Sequence, residues 1–110
     1  MKPIRALSIR QPYAELIMRG IKKIEYRPML TNIRERVYIY ATKRPGHPDD
    51  WAKMKMQPGD LAAGVIIGTV EVCNCTGEQG DYKWHLKNHK RLRKHLVPDN
   101  HPQPSWFRPF

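Results

Sequence analysis

Lys22, Glu25 and Arg27 are the residues whose types and spacing most suggest chemistry, lying in the run Gly20-Ile-Lys22-Lys-Ile-Glu25-Tyr-Arg27. If Ile24 to Arg27 is extended, its period of two puts Glu25 and Arg27 on one face, and Lys22 can reach the same opening. One carboxylate and two cations would then converge. A guanidinium is a planar fork suited to phosphate oxygens, whereas an ammonium is a compact charge that gives up its proton more readily. Arg27 is therefore expected to anchor a ligand and Lys22 to carry any chemistry. Glu25 would accept a proton, or orient Lys22 or a water. Such a trio suits phosphodiester cleavage, where cations stabilise developing charge, and equally amide hydrolysis on a modified base. It also suits a surface ion-pair network of little energetic worth.

The elements that must position these residues can be read along the chain. Ile4 to Ile9 alternates loosely and reads as a first strand. Pro12 fits the first turn of a helix in which Tyr13, Leu16, Ile17 and Ile21 recur at helical spacing, with Gly20 as a left-handed C-terminal cap. Ile24 to Arg27 forms a second strand, ended by Pro28 and placing Ile24 and Tyr26 on the face opposite Glu25. Arg36 to Thr42 is the clearest strand, carrying Val37, Ile39 and Ala41 on one side and Tyr38 and Tyr40 on the other, as in a barrel wall. Lys43 to Asp60 reads as a long surface flap with one short helical turn capped near Asp49-Asp50-Trp51. Ala63 to Cys75 reads as a central strand bent at Gly64 and Gly68. For Trp84 to Lys94 the pattern leaves strand and helix open. The tail from Pro98 to Phe110 should lie extended across the body, pinned by Trp106, Phe107 and Phe110.

A chain of 110 residues is expected to be a single domain spanning 1–110, because a second core could not be fed from what remains. Its 40% hydrophobic content lies far from the composition of disordered chains. Twenty Lys and Arg against ten Asp and Glu leave a formal charge of +10, which concentrates polyanions and makes nucleic acid the first candidate partner. Arg5, Arg10 and Glu15 interrupt any apolar leader, and no run is long enough to cross a membrane, so a cytoplasmic setting with no membrane association is expected. Cys73 and Cys75, one residue apart in a strand, lack the geometry of an easy mutual bridge.

Three further constellations carry chemistry. Lys87, Lys90, Arg91, Arg93 and Lys94 form the densest basic stretch, suited to phosphate contacts or simply to a solvated face. Trp106 offers a face on which a base could stack, while Trp84 reads as core. Cys73, Cys75 and the histidines invite a zinc reading, but one intervening residue in an apolar strand points instead to buried thiols. Neither a metal nor a cofactor is expected.

The opening Ala6-Leu-Ser8-Ile-Arg10-Gln11-Pro12-Tyr13, followed by Gly20-x-Lys22-x-x-Glu25-x-Arg27, resembles the start of ASCH domains. Tyr40-Ala41-Thr42-Lys43, Gly64-x-Ile66-Ile67-Gly68-Thr69-Val70 and Trp84-x-Leu86 fall in the expected order after it. The resemblance implies an α+β fold: a small PUA-like β-barrel of about five to six strands with flanking short helices. It also implies a ligand cleft with the motif at its floor. Lys22 and Glu25 are then the catalytic candidates, and Gly20, Ser8, Arg10, Gln11, Tyr13, Arg27 and Lys43 the candidates for binding RNA or a nucleotide.

On this reading the chain is a monomeric RNA- or nucleotide-binding protein that takes single-stranded nucleic acid. Enzymatic activity stays open, with hydrolysis, as a ribonuclease or an amidohydrolase, the class the residues would support. Some ASCH members are amidohydrolases of N4-acetylcytidine, and in those a Thr stands where this chain has Glu25 and another where it has Lys23. A non-catalytic interaction module that binds an acidic protein is the remaining alternative.

Overall fold

The computed structural model describes residues 2–110. Six strands and two short helices follow one another: β1 (Ala6–Ile9), α1 (Tyr13–Met18), β2 (Ile24–Arg27), β3 (Arg36–Ala41), α2 (Pro48–Lys53), β4 (Val65–Glu78), β5 (Asp81–Leu96) and β6 (Trp106–Phe107). They form one sheet in the order β2-β5-β4-β3-β1-β6, with β1 parallel to β3 and every other pair antiparallel. The sheet curls into a half-barrel, so the architecture is α+β with a PUA-like barrel, as expected. Bulges drive the curl. Register shifts interrupt the β4–β5 ladder at Ile66/Gly68, Thr69/Glu71 and Val72/Asn74, and the β3–β4 ladder at Ile39/Tyr40, each adding local twist.

Both faces of the sheet are packed. Val37, Ile39 and Ala41 of β3 enter the main core with Leu7, Ile17, Val70 and Trp84, while Tyr38 and Tyr40 alternate into a second cluster with Ala6, Ile66 and Phe107. The tail is held as its aromatics suggested. Phe107 meets Tyr40 edge-on at 5.4 Å, Phe110 meets Tyr38 at 5.9 Å, and Trp106 stacks on Trp84 at 5.6 Å with planes 9° apart. Trp106 thus presents one face to the core.

Trp84–Lys94 is strand, and its partner decides this: β4 pairs with β5 from Glu78↔Asp81 to Ile66↔Leu96. A helix here would leave the long β4 backbone without a ladder. Gly68 lets these layers close, because a Cβ there would lie 2.2 Å from the Met18 sulfur and 2.6 Å from the Lys90 carbonyl oxygen.

Helix α1 is tied down at both ends. Gln11 Oε1 accepts from the Glu15 amide at 2.9 Å and its Nε2 donates to the Ala62 carbonyl at 2.9 Å, so the side chain serves as a buried cap. Gly20 follows the last turn at φ +74°, the left-handed conformation expected of it. Glu15 pairs with Arg19, one turn on, at 2.7 Å, and also takes Arg91 of β5 through two bonds of 2.9 Å. Burial pushes the Glu15 carboxyl up, but the Arg91 and Arg19 guanidiniums outweigh it and hold the group below its ordinary value.

The 43–60 excursion differs from the free flap expected of it. Its helix is capped by the His47 ring, which accepts from the Asp49 amide at 3.1 Å, rather than by an aspartate. Trp51 is buried, the Gly46 amide donates to the Gln11 carbonyl at 2.8 Å, and Tyr13 donates its hydroxyl proton to Asp50. That last bond raises the Tyr13 pKa and lowers that of Asp50. Proline and glycine content signalled an absence of regular structure, which is distinct from an absence of anchoring.

Candidate functional site

Strands β2 and β6 are the two ends of the sheet order, and the curl turns them toward each other. Arg27 of β2 spans the gap. Its Nη1 donates to Ser105 Oγ at 3.0 Å and its Nη2 to the Ser8 carbonyl at 3.0 Å, while Nε and Nη2 approach Glu25 Oε2 at 2.9 and 2.8 Å. The guanidinium carbon also lies 5.4 Å from the centre of the Trp84 ring. Most of the five N–H donors of this side chain are thus engaged within the chain.

Over this bridge opens a cleft of about 770 Å³, within the range of small-ligand sites. Lys22, Glu25 and Arg27 line it together. Lys22 Nζ lies 3.2 Å from Glu25 Oε1 and donates to the Ile24 carbonyl at 2.6 Å, so Glu25 stands between two cations. The same ammonium is 6.0 Å from the Tyr13 ring centre and 5.4 Å from that of Tyr26. Tyr40 of β3 and Thr42 just beyond it add a further wall, and the tail segment His101–Ser105 faces them. Exposed at the edge are Arg10, Lys43 and Arg44. Among the described residues, none of these three forms an ion pair.

Of the residues singled out from the sequence, Ser8, Arg10, Tyr13, Lys22, Glu25, Arg27 and Lys43 line this cleft. Gln11 and Gly20 do not. Gln11 is the cap of α1, 3% exposed, and Gly20 packs beside a smaller pocket, where a Cβ would lie 2.6 Å from the His89 ring. Ser8 lines the cleft with its hydroxyl already donated to the Gln103 carbonyl at 2.6 Å. Tyr26, Tyr40, Arg44 and the His101–Ser105 wall were missed. The alternation of β2 assigned Tyr26 to the opposite face, yet on an edge strand its ring, 60% exposed, reaches round to the rim. Nothing in the local pattern of the tail marks it as a wall.

Among the described residues, no group of three His, Cys, Asp or Glu is placed to hold a metal ion. Cys73 instead donates its thiol to the His85 carbonyl at 3.3 Å. No helix among them is long and apolar enough to cross a membrane.

The sequence model of the ASCH domain matches residues 7–107. The chain belongs to the ASCH domain family. Activating signal cointegrator 1 of Homo sapiens and that of Mus musculus are each 30% identical to this ASCH domain over 84 aligned positions, with 66% of the chain and 14% of either relative covered. The chain therefore spans about one seventh of their length. In structure it is similar to the crystal structure of ASCH from Zymomonas mobilis, with a TM-score of 0.66 at 15% identity, covering 94% of this chain and 85% of that one. A tyrosine-to-phenylalanine variant of the Zymomonas protein superposes with a TM-score of 0.65 at 14% identity, covering 94% and 88%. At that identity the likeness establishes the fold, and it agrees with the curled six-stranded sheet seen here.

Proposed function

We propose that this ASCH domain binds single-stranded RNA by taking one nucleotide into the cleft. A division among the cleft cations carries the reading. Lys22 and Arg27 share the single carboxylate of Glu25 and are bonded to the backbone or to Ser105, whereas Arg10, Lys43 and Arg44 have no ion-pair partner among the described residues. A phosphate gains most where charge is uncompensated, so it lies against Arg10, Lys43 and Arg44. The nucleoside then lies deeper, against the rings of Tyr13 and Tyr40, with Tyr26 at the rim. Arg27 holds the floor and the seam of the sheet and does not grip the phosphate. The family and the formal charge of +10 favour RNA as the polyanion.

The test is an NMR titration of the 15N-labelled protein with cytidine monophosphate and with a short single-stranded RNA. Amide shifts concentrated at Ser8, Arg10, Tyr26, Arg44 and Ser105 are expected from both ligands. Shifts confined to β5, or equal to those produced by inorganic phosphate, contradict it.

Hydrolysis is a second reading, favoured by the 3.2 Å approach of Lys22 Nζ to Glu25 Oε1 on the cleft floor. Glu25 would accept a proton from water as it attacks, and Lys22 would stabilise the developing negative charge. With N4-acetylcytidine the products would be acetate and cytidine; with RNA, a cleaved phosphodiester. Turnover of either substrate, abolished by Lys22→Ala, establishes this reading. Inertness toward both leaves the cleft a binding site alone.

A further inference from the structure

Behind Lys22 lies a second pocket of about 300 Å³. Ile17, Val70 and Leu86 give it an apolar floor, and Lys23, Lys87 and Asn88 provide cationic and amide groups around it. Lys22 lines both this pocket and the main cleft, so the two adjoin at this residue. An ammonium has three N–H donors, and among the described residues those of Lys22 have two partners, the Ile24 carbonyl at 2.6 Å and Glu25 Oε1 at 3.2 Å. One donor remains. The pocket exists because β5 bulges beside it: Asn88 adopts φ 54°, and the ladder shifts register between Thr69 and Glu71. Asn88 Nδ2 donates to Glu71 Oε1 at 3.2 Å, and Lys87 Nζ is 3.6 Å from Glu71 Oε2. Lys23 has no ion-pair partner among the described residues and is exposed.

An apolar floor ringed by cations and an amide, next to a cleft that takes a nucleotide, matches the chemistry of a second nucleobase and its backbone. We propose that this pocket is the subsite for the neighbouring nucleotide of the same single strand, with the linking phosphate passing over Lys22. The inference rests on the reading of the main cleft as a nucleotide site. It makes the minimal ligand a dinucleotide rather than a free nucleotide. The apolar floor supplies the face for the second base, and Lys23 and Lys87 hold the backbone that leads out of it.

Isothermal titration with cytidine monophosphate and with the 5′-phosphorylated dinucleotide pCpU tests this in the intact chain and in the double variant Lys23→Ala/Lys87→Ala. The wild type is expected to bind the dinucleotide at least about tenfold more tightly, on the order of 1.4 kcal/mol of added contact. In the variant that advantage should disappear while the mononucleotide affinity stays unchanged. Both substituted side chains are exposed, so folding is preserved. Equal affinity for the two ligands in the wild type, or an advantage that survives in the double variant, overturns the second subsite alone. Failure of the wild type to bind either ligand overturns the cleft reading and the subsite with it.

Discussion

Arg27 shows how one residue type can suit two roles that only coordinates separate. Read in sequence, a guanidinium beside a carboxylate and a lysine looks like a phosphate anchor. In the fold its donors go to Glu25, the Ser8 carbonyl and Ser105 Oγ, with a side chain only 17% exposed. Substituting Arg27→Ala strands Glu25 beside Lys22 alone and unties β2 from the opposite edge of the sheet. The expected loss is about 2–3 kcal/mol, measured by urea denaturation. Arg27→Lys should recover little of it, because a single ammonium cannot reproduce a fork that reaches three partners. Wild-type stability in Arg27→Ala would show the bridge to be incidental. The convergence of Lys22, Glu25 and Arg27 was legible, since it followed from period two plus a capped helix. The internal engagement of Arg27 was not, because Ser105 lies 78 residues away in the chain.

At the scale of elements, α1 is fastened to β5 by Glu15, which accepts two bonds from Arg91. The Glu15 carboxyl is held below its ordinary value of 4.5, so the pair contributes fully above about pH 4.5 and is lost as pH falls through the lower folded value. Thermal melts should therefore show the wild type losing stability below pH 4.5 more steeply than Glu15→Gln. At pH 7 the variant should be less stable by about 1–3 kcal/mol. Parallel pH profiles for the two proteins would refute the linkage. Helix α1 was readable from Pro12, its apolar spacing and Gly20, because cap and periodicity agreed. The nature of β5 was not, for a definite reason: from Lys87 to Arg91 every side chain is exposed, so neither face carries an apolar alternation to read. The ladder to β4 holds that half of the strand, and ladders leave no mark in local composition.

For the whole molecule, the charge of +10 was the first clue to function, but charge by itself says nothing about where a ligand sits. The geometry separates the cations that share Glu25 on the cleft floor from those at its edge that form no ion pair among the described residues. Half of the cleft was foreseen, namely the wall built from β1, α1 and β2. The other half comes from the tail at His101–Ser105, which aromatic anchors on β6 and at Phe110 carry across the sheet edge. The most direct measurement of the central claim is fluorescence anisotropy of a labelled single-stranded RNA, titrated across a range of salt concentrations. Two double variants, Arg10→Ala/Arg44→Ala and Lys2→Ala/Arg108→Ala, lower the formal charge equally. The cleft variant should lose roughly tenfold or more in affinity, and its log–log salt slope should become shallower by about 0.7 for each phosphate contact removed, while the other variant, whose residues do not line the cleft, stays close to wild type. Equal losses from the two variants would mean that RNA senses only the net charge, and the cleft would not be its site.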